Sequence, residues 1–303
     1  MTPTYYFGYG SNLLRRDWQR WCRDADRDPG GLLPLGPAWL PDQELAFVSR
    51  SSSRRGGVLG LRSRMGQATA GWVYRVTDAG WASLDIKEGV PAVYRRLPGH
   101  VLTPDGRVVA VHTYDVVRER RQPFVAPASA YVDIVREGRA QLGIADDGQL
   151  NAAAANSQCP WLTSSVFVYG TCRPGQARFD VLEAHRVQDI CPGTVHGTLV
   201  DLGAWPGLVF APSGTSPDLV HGEVVTVAEP AGLLKDLDVV EGFEGWATST
   251  NLFTRTLMPV QTGRGVILAW AYRYAGSPAR VARIESGDWL DRGQYRPDDV
   301  VSK

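Results

Sequence analysis

Two glycine-bearing loops and two distant glutamates are the residues of this chain best suited to chemistry. Tyr5-Tyr6-Phe7-Gly8 runs into Tyr9-Gly10-Ser11-Asn12, and Val166-Phe167-Val168 runs into Tyr169-Gly170-Thr171. Glycine directly after a strand lets backbone approach a ligand closely and allows turns with positive φ. A turn that points successive N–H groups outward can hold a carboxylate or a developing oxyanion. Downstream of each loop comes a Leu-Asp-x-x-Glu-Gly run, Leu84–Gly89 and Leu237–Gly242, which brings Glu88 and Glu241. Glu88 lies among Leu84, Ile86, Val90 and Val93. A carboxylate near apolar walls has a raised pKa and can trade protons near neutrality. Taken singly, such a loop reads as an ordinary strand-ending turn and such a glutamate as a surface residue. The repetition of the pair is what points to a site.

The elements that must position these residues also come twice. The loop tyrosines stand 160 positions apart (9 to 169) and the glutamates 153 apart (88 to 241). Between them, Gly71–Val76 corresponds to Gly222–Val227, and later Val108–Tyr114 corresponds to Val266–Tyr272. Four landmarks in one order define an internal repeat. Val73, Tyr74 and Val76, like Val224, Val225 and Val227, are strand formers. A short helix is expected before each glutamate, capped by Thr77 or Asp78 in the first copy and opened by Pro230 in the second. The apolar spacing of Tyr131, Ile134, Val135 and Leu142 predicts a packing helix at the end of the first copy. Residues from about 145 to 163, rich in Asp, Asn and Ala with Pro160 near the end, read as a linker. The domains are therefore expected at 1–148 and 164–303.

Bulk properties narrow the function. At 303 residues, two domains are the default. The 32 basic and 32 acidic residues cancel, which removes any whole-molecule attraction to nucleic acid or anionic membrane. Local clusters at Arg15-Arg16, Arg54-Arg55 and Arg118–Arg121 read as solvated faces. Cys22, Cys159, Cys172 and Cys191 show no Cys-x-x-Cys spacing and read as free thiols of a reducing compartment. The five histidines lack clustered ligand spacing, so no metal site is expected. No phosphate-binding glycine motif stands out. No secretory pattern or membrane-length apolar run is evident, so the expected location is cytoplasmic. The sequence does not set an oligomeric state.

These motifs carry a resemblance. YFGYGSNL, then LDIKEGV with Tyr94-Arg95-Arg96, then PASAYVDIVREGRAQLGI, resembles the gamma-glutamylcyclotransferase family. VFVYGTCRPG, HGTLVDLGAWPGLV and LDVVEGF with Phe253-Thr254-Arg255 are similar to its gamma-glutamylamine cyclotransferase-like branch. The resemblance implies an α+β fold: two tandem small twisted mixed β-barrels with a few helices. It implies Glu88 as acid/base, with Tyr9, Gly10, Ser11, Asn12 and Tyr94 lining a substrate pocket. In the second copy it implies Glu241 as acid/base, with Tyr169, Gly170 and Thr171 as the loop. Phe253 departs from the branch's tyrosine and Cys172 from its leucine. The implied activity is release of 5-oxoproline from a small γ-glutamyl substrate by attack of its own α-amine, with no cofactor. Two alternatives stay open: removal of a γ-glutamyl protecting group in a biosynthetic pathway, and a non-catalytic small-molecule-binding module, above all in the second copy.

Overall fold

The structure is a computed structural model that describes residues 5–210 and 218–292. The chain divides into two compact units, residues 1–162 and 163–303. The first contains β1 (Tyr5–Gly8), α1 (Arg15–Asp24), β2 (Leu32–Ser51), β3 (Gly56–Val76), α2 (Asp78–Glu88), β4 (Tyr94–Leu102), β5 (Val108–Val116), α3 (Ser129–Gln141) and α4 (Gln149–Ala155). The second contains β6 (Ser165–Val168), α5 (Asp180–Glu183), β7 (Val187–His196), β8 (Thr198–Asp201), β9 (Pro206–Val209), β10 (Leu219–Val227), α6 (Pro230–Val240), β11 (Phe253–Thr262), β12 (Gly265–Tyr274) and β13 (Ala282–Arg283).

Each unit is a closed five-stranded barrel. In the first the order is β1-β3-β2-β4-β5, closed by a parallel pairing of β5 with β1. In the second, β6, β10, β7, β11 and β12 follow the same circular order, closed by β12 against β6. All other neighbours are antiparallel, so the sheets are mixed, and with their helices the units form the expected pair of α+β domains. Closure removes free sheet edges, and the inward side chains, among them fully buried Phe7, Phe47, Phe167 and Trp270, fill the interiors.

The copies differ in how their second strands are used. β2 and β3 form one long hairpin, bent by register shifts near Gly36, Gln43 and Ser49. The hairpin turns at residues 52–55, where Arg54 pairs with Asp17 of α1. In the second unit β7 instead leads into a small sheet, ordered β13-β8-β9.

The segment read as a linker is partly helical. Gly148 and Asn156, both left-handed, bound α4, whose Gln149 amide donates to the Ala68 carbonyl at 3.1 Å. Leu150 and Ala153 are buried, so alanine-rich sequence here marks a packed amphipathic helix of the first unit. The Arg15-Arg16 cluster begins α1, an unanticipated helix that buries Asp17, Trp18 and Cys22. All four cysteines are buried and free.

Candidate active site

Each glutamate is delivered by a helix with a glycine stop. Thr77 caps α2, its hydroxyl accepting from Gly80 N at 3.1 Å, and Glu88 is the helix's last residue, not a residue beyond it. Glu241 does lie just past α6. In both cases the next residue is left-handed, Gly89 at φ 65° and Gly242 at φ 61°, a conformation that glycine reaches without Cβ strain. Helix α6 forms despite Gly232, with Pro230 in its first turn.

The aspartate three positions before each glutamate anchors the same helix end. Tyr114, on β5, donates its hydroxyl to Asp85 Oδ1 at 2.6 Å, and Arg96 pairs with the same carboxylate. Tyr272, on β12, donates to Asp238 Oδ1 at 2.6 Å, and Arg255 lies 3.3 Å from Asp238. Positions i and i+3 share a helix face, so the aspartate fastens to the barrel while the glutamate reaches the loop. The Leu-Asp-x-x-Glu spacing carried this signal, but neither Asp85 nor Asp238 was singled out from it.

The loop tyrosines complete the frame. Tyr9 donates its hydroxyl to the Tyr114 carbonyl, and Tyr169 donates to the Tyr272 carbonyl, both at 2.7 Å. Tyr94 donates to the Leu59 carbonyl, also at 2.7 Å. These rings line the cavities, but their hydroxyl protons are committed to backbone, so they set shape more than they offer donors. Neither Gly10 nor Gly170 has positive φ. At Gly170 the need is space: a Cβ would sit 2.6 Å from Pro206.

In the first unit, Glu88 and Asn12 are 76 residues apart in sequence and meet at the loop. Asn12 Nδ2 donates to Glu88 Oε1 at 2.8 Å and to the Tyr6 hydroxyl at 3.0 Å. Lys87 Nζ donates to Asn12 Oδ1 at 2.6 Å. An ammonium has only donors, so it fixes the amide with its oxygen toward Lys87 and its NH2 toward Glu88. Behind this lies buried Asp17, 2.6 Å from Arg54, 2.8 Å from Arg20 and 3.6 Å from Lys87. Burial alone would raise Asp17, but its bond to Arg54 and the charges of Lys87, Arg54 and Arg20 hold it below the usual carboxylate range. Burial raises Glu88, and Lys87, the Asn12 bond and Arg54 offset only part of that. Tyr6, Tyr9, Gly10, Ser11, Asn12, Glu88, Tyr94 and Tyr131 enclose a recess of about 30 Å³, which adjoins a cavity of about 560 Å³.

Several contributors were not foreseen. Arg54 and Arg120, read as solvated, line the larger cavity, and Arg121 pairs with Asp115 at 2.9 Å. Tyr131, read as part of a packing face, reaches the recess and interacts with Ser11. Its helical spacing could not separate a core tyrosine from a pocket tyrosine.

In the second unit, Tyr169, Gly170, Thr171, Cys172, Glu241 and Phe253 line a cavity of about 80 Å³, walled also by Trp205 and Pro206. Cys172 occupies the loop position that Asn12 has in the first unit, and Val240 the position of Lys87. Burial raises Glu241 to about 7, with Arg178 the opposing charge. Burial, then Glu241, pushes the Cys172 thiol up to about 12, which makes it a poor nucleophile. Among the described residues no cluster of three or more His, Cys, Asp or Glu could hold a metal, and no helix is long and apolar enough to cross a membrane.

The sequence profile of the family described as Gamma-glutamyl cyclotransferase, AIG2-like, matches residues 6–131 and again 166–291. A Vibrio cholerae protein named as a gamma-glutamylcyclotransferase is 33% identical over 132 residues, 42% of this chain and 96% of that one. The gamma-L-glutamyl-butirosin B gamma-glutamyl cyclotransferase of Niallia circulans is 32% identical over 133 residues, 44% of this chain and 77% of that one. A solved gamma-glutamyl cyclotransferase is 26% identical, with 49% of this chain and 86% of that one covered at a TM-score of 0.43.

Proposed function

Because the chain belongs to the gamma-glutamyl cyclotransferase, AIG2-like family and holds two tandem copies of its domain, we propose that it is a cyclotransferase acting on γ-glutamyl compounds, with its first unit the principal site. The observation that carries this reading is the 2.8 Å bond between Asn12 of the glycine loop and Glu88. It holds a carboxylate of raised pKa beside the recess that the glycine loop encloses.

The reaction is an intramolecular aminolysis. The substrate's α-ammonium gives a proton to the Glu88 carboxylate, and the freed amine attacks the γ-carbonyl carbon. A new C–N bond closes a five-membered lactam as the carbonyl electrons move onto oxygen. When that oxyanion collapses, the original C–N bond breaks and the Glu88 carboxylic acid returns its proton to the departing nitrogen; the ring nitrogen then gives up its second proton, which passes by way of the Glu88 carboxylate to the departing amine. The products are 5-oxoproline and the departing amine as its ammonium, and no water is consumed. Loop N–H groups at Gly10, Ser11 and Asn12 are the proposed partners of the developing oxyanion, where one good donor contributes about 2.7–4 kcal/mol. Holding the chain folded for attack contributes more, up to ~7–11 kcal/mol. A base whose pKa sits above the ordinary carboxylate value suits both proton transfers.

The identity of the product tests the reading. Mass spectrometry of γ-glutamyl amino acids and γ-glutamyl amines incubated with the protein is expected to find 5-oxoproline. Release of glutamate would mean hydrolysis and would sink the cyclisation. For the second unit, Cys172 and Phe253 favour a different role: without the Asn12 amide on its glutamate, and without the hydroxyl that ties the Tyr94 ring to backbone, it holds a γ-glutamyl head with little or no turnover.

A further inference from the structure

The side of the first cleft that takes the departing amine has a chemistry of its own, and its reading rests on the cyclotransferase assignment above. The recess beside Glu88 opens, through Ser11, Glu88, Tyr94 and Tyr131, into the cavity of about 560 Å³. The recess has about the volume of one water, so a γ-glutamyl head also takes part of the larger cavity, and the rest belongs to whatever is attached to it. The larger cavity lies in the range of pockets for ligands of about 300–1,000 Å³ and exceeds the need of a single small amine.

The wall is basic and unevenly compensated. It carries Arg20, Arg50, Arg54, Lys87 and Arg120 against Asp17, Asp24 and Glu88. Asp17 is engaged by Arg54, Arg20 and Lys87, so the inner wall is largely neutralised. Arg50, near the end of β2, and Arg120, in the turn after β5, are exposed and make no side-chain hydrogen bond or ion pair among the described residues. The backbone bond from Gln122 N to Val48 O, 2.7 Å, ties that turn to β2. Ser51, Ser52 and Ser53 add hydroxyls along the same wall. Guanidinium groups without partners, beside hydroxyls, are suited to bind carboxylate. The second unit offers a contrast: its 80 Å³ cavity has Arg178 as its one cation among the described lining residues, against Trp205, Pro206, Leu252 and Phe253.

We propose that Arg50 and Arg120 form a leaving-group subsite that reads carboxylate, so that the first unit acts on γ-glutamyl peptides whose departing part is acidic, and disfavours amine-bearing, cationic leaving groups. The test uses the full chain carrying Glu241→Gln, which silences the second unit. Its probes are γ-glutamyl-alanyl-glutamate, the same peptide with both carboxyls of the leaving part amidated, and a γ-glutamyl polyamine. 5-Oxoproline release is expected to give a kcat/KM about tenfold higher for the acid than for the amide, with the polyamine lowest. Adding Arg50→Gln and Arg120→Gln together is expected to bring acid and amide within about twofold, as is high salt, while Arg50→Lys keeps much of the preference. Equal rates for acid and amide in the parent, or a preference untouched by the double substitution, would overturn the subsite and leave the cyclotransferase reading standing. Absence of 5-oxoproline from all three probes would overturn both.

Discussion

Glu88 and Glu241 sit at matching points of two matching barrels, yet one is surrounded by polar partners and the other is not. Around Glu88 stand Asn12, Lys87 and Arg54, with Asp17 balancing the cations. Around Glu241 stand apolar walls, and the opposing charge is Arg178, whose guanidinium also donates to the Val240 carbonyl at 3.3 Å. The frame that carries both glutamates is unchanged: a tyrosine bonded to the late strand, an aspartate bonded to that strand's tyrosine, and a glycine stop. Positioning has thus been retained while the electrostatics diverged. A carboxylate in the first setting is oriented and partly stabilised as an anion. In the second it is held near its protonated form by burial alone.

The strongest way to break this contrast is to remove Asp17. Asp17→Ala leaves Arg54, Lys87 and Arg20 without their shared partner at a buried position, a loss on the order of 3–5 kcal/mol. Denaturant unfolding is expected to show that loss, and a change below about 1 kcal/mol would mean that the ion cluster does not hold the first site together.

The second unit sharpens the contrast through pH. Glu241 rises from 4.5 to about 7 on folding, so between those values the folded state holds the proton more tightly than the unfolded chain. Its contribution is therefore full below about pH 4.5 and is lost as pH rises through about 7, a decline on the order of 3 kcal/mol. Glu241→Gln is expected to flatten that part of the pH–stability curve. An identical slope in the variant would show that Glu241 does not titrate there.

Much of this frame could be read from sequence because it depends on short, local rules repeated twice. The glycine after each glutamate, the proline opening α6 and the valine-rich strands each act over a few residues, and their common order revealed the tandem copies. Asp85 and Asp238 were visible in the same motif, but their partners Tyr114 and Tyr272 come from strands tens of residues away. The cluster of Asp17, Arg54 and Lys87 joins α1, the tip of the β2–β3 hairpin and α2, and no spacing in the chain encodes that meeting. Charged pairs such as Arg15-Arg16 and Arg54-Arg55 read as solvent-facing because pattern alone cannot show a buried carboxylate opposite one of them. Alanines at 152–155 suggested a linker because composition does not reveal which face will be covered.

Glu88 is the group proposed to move the protons of the cyclisation. The most direct measurement is the rate of 5-oxoproline release by the Glu241→Gln protein, compared with the same protein carrying Glu88→Gln as well. The neutral isostere keeps the shape and loses the base, and a fall of about 10²–10⁴-fold is predicted. An undiminished rate would contradict the assignment of Glu88 and, with it, the mechanism built around the loop that holds it.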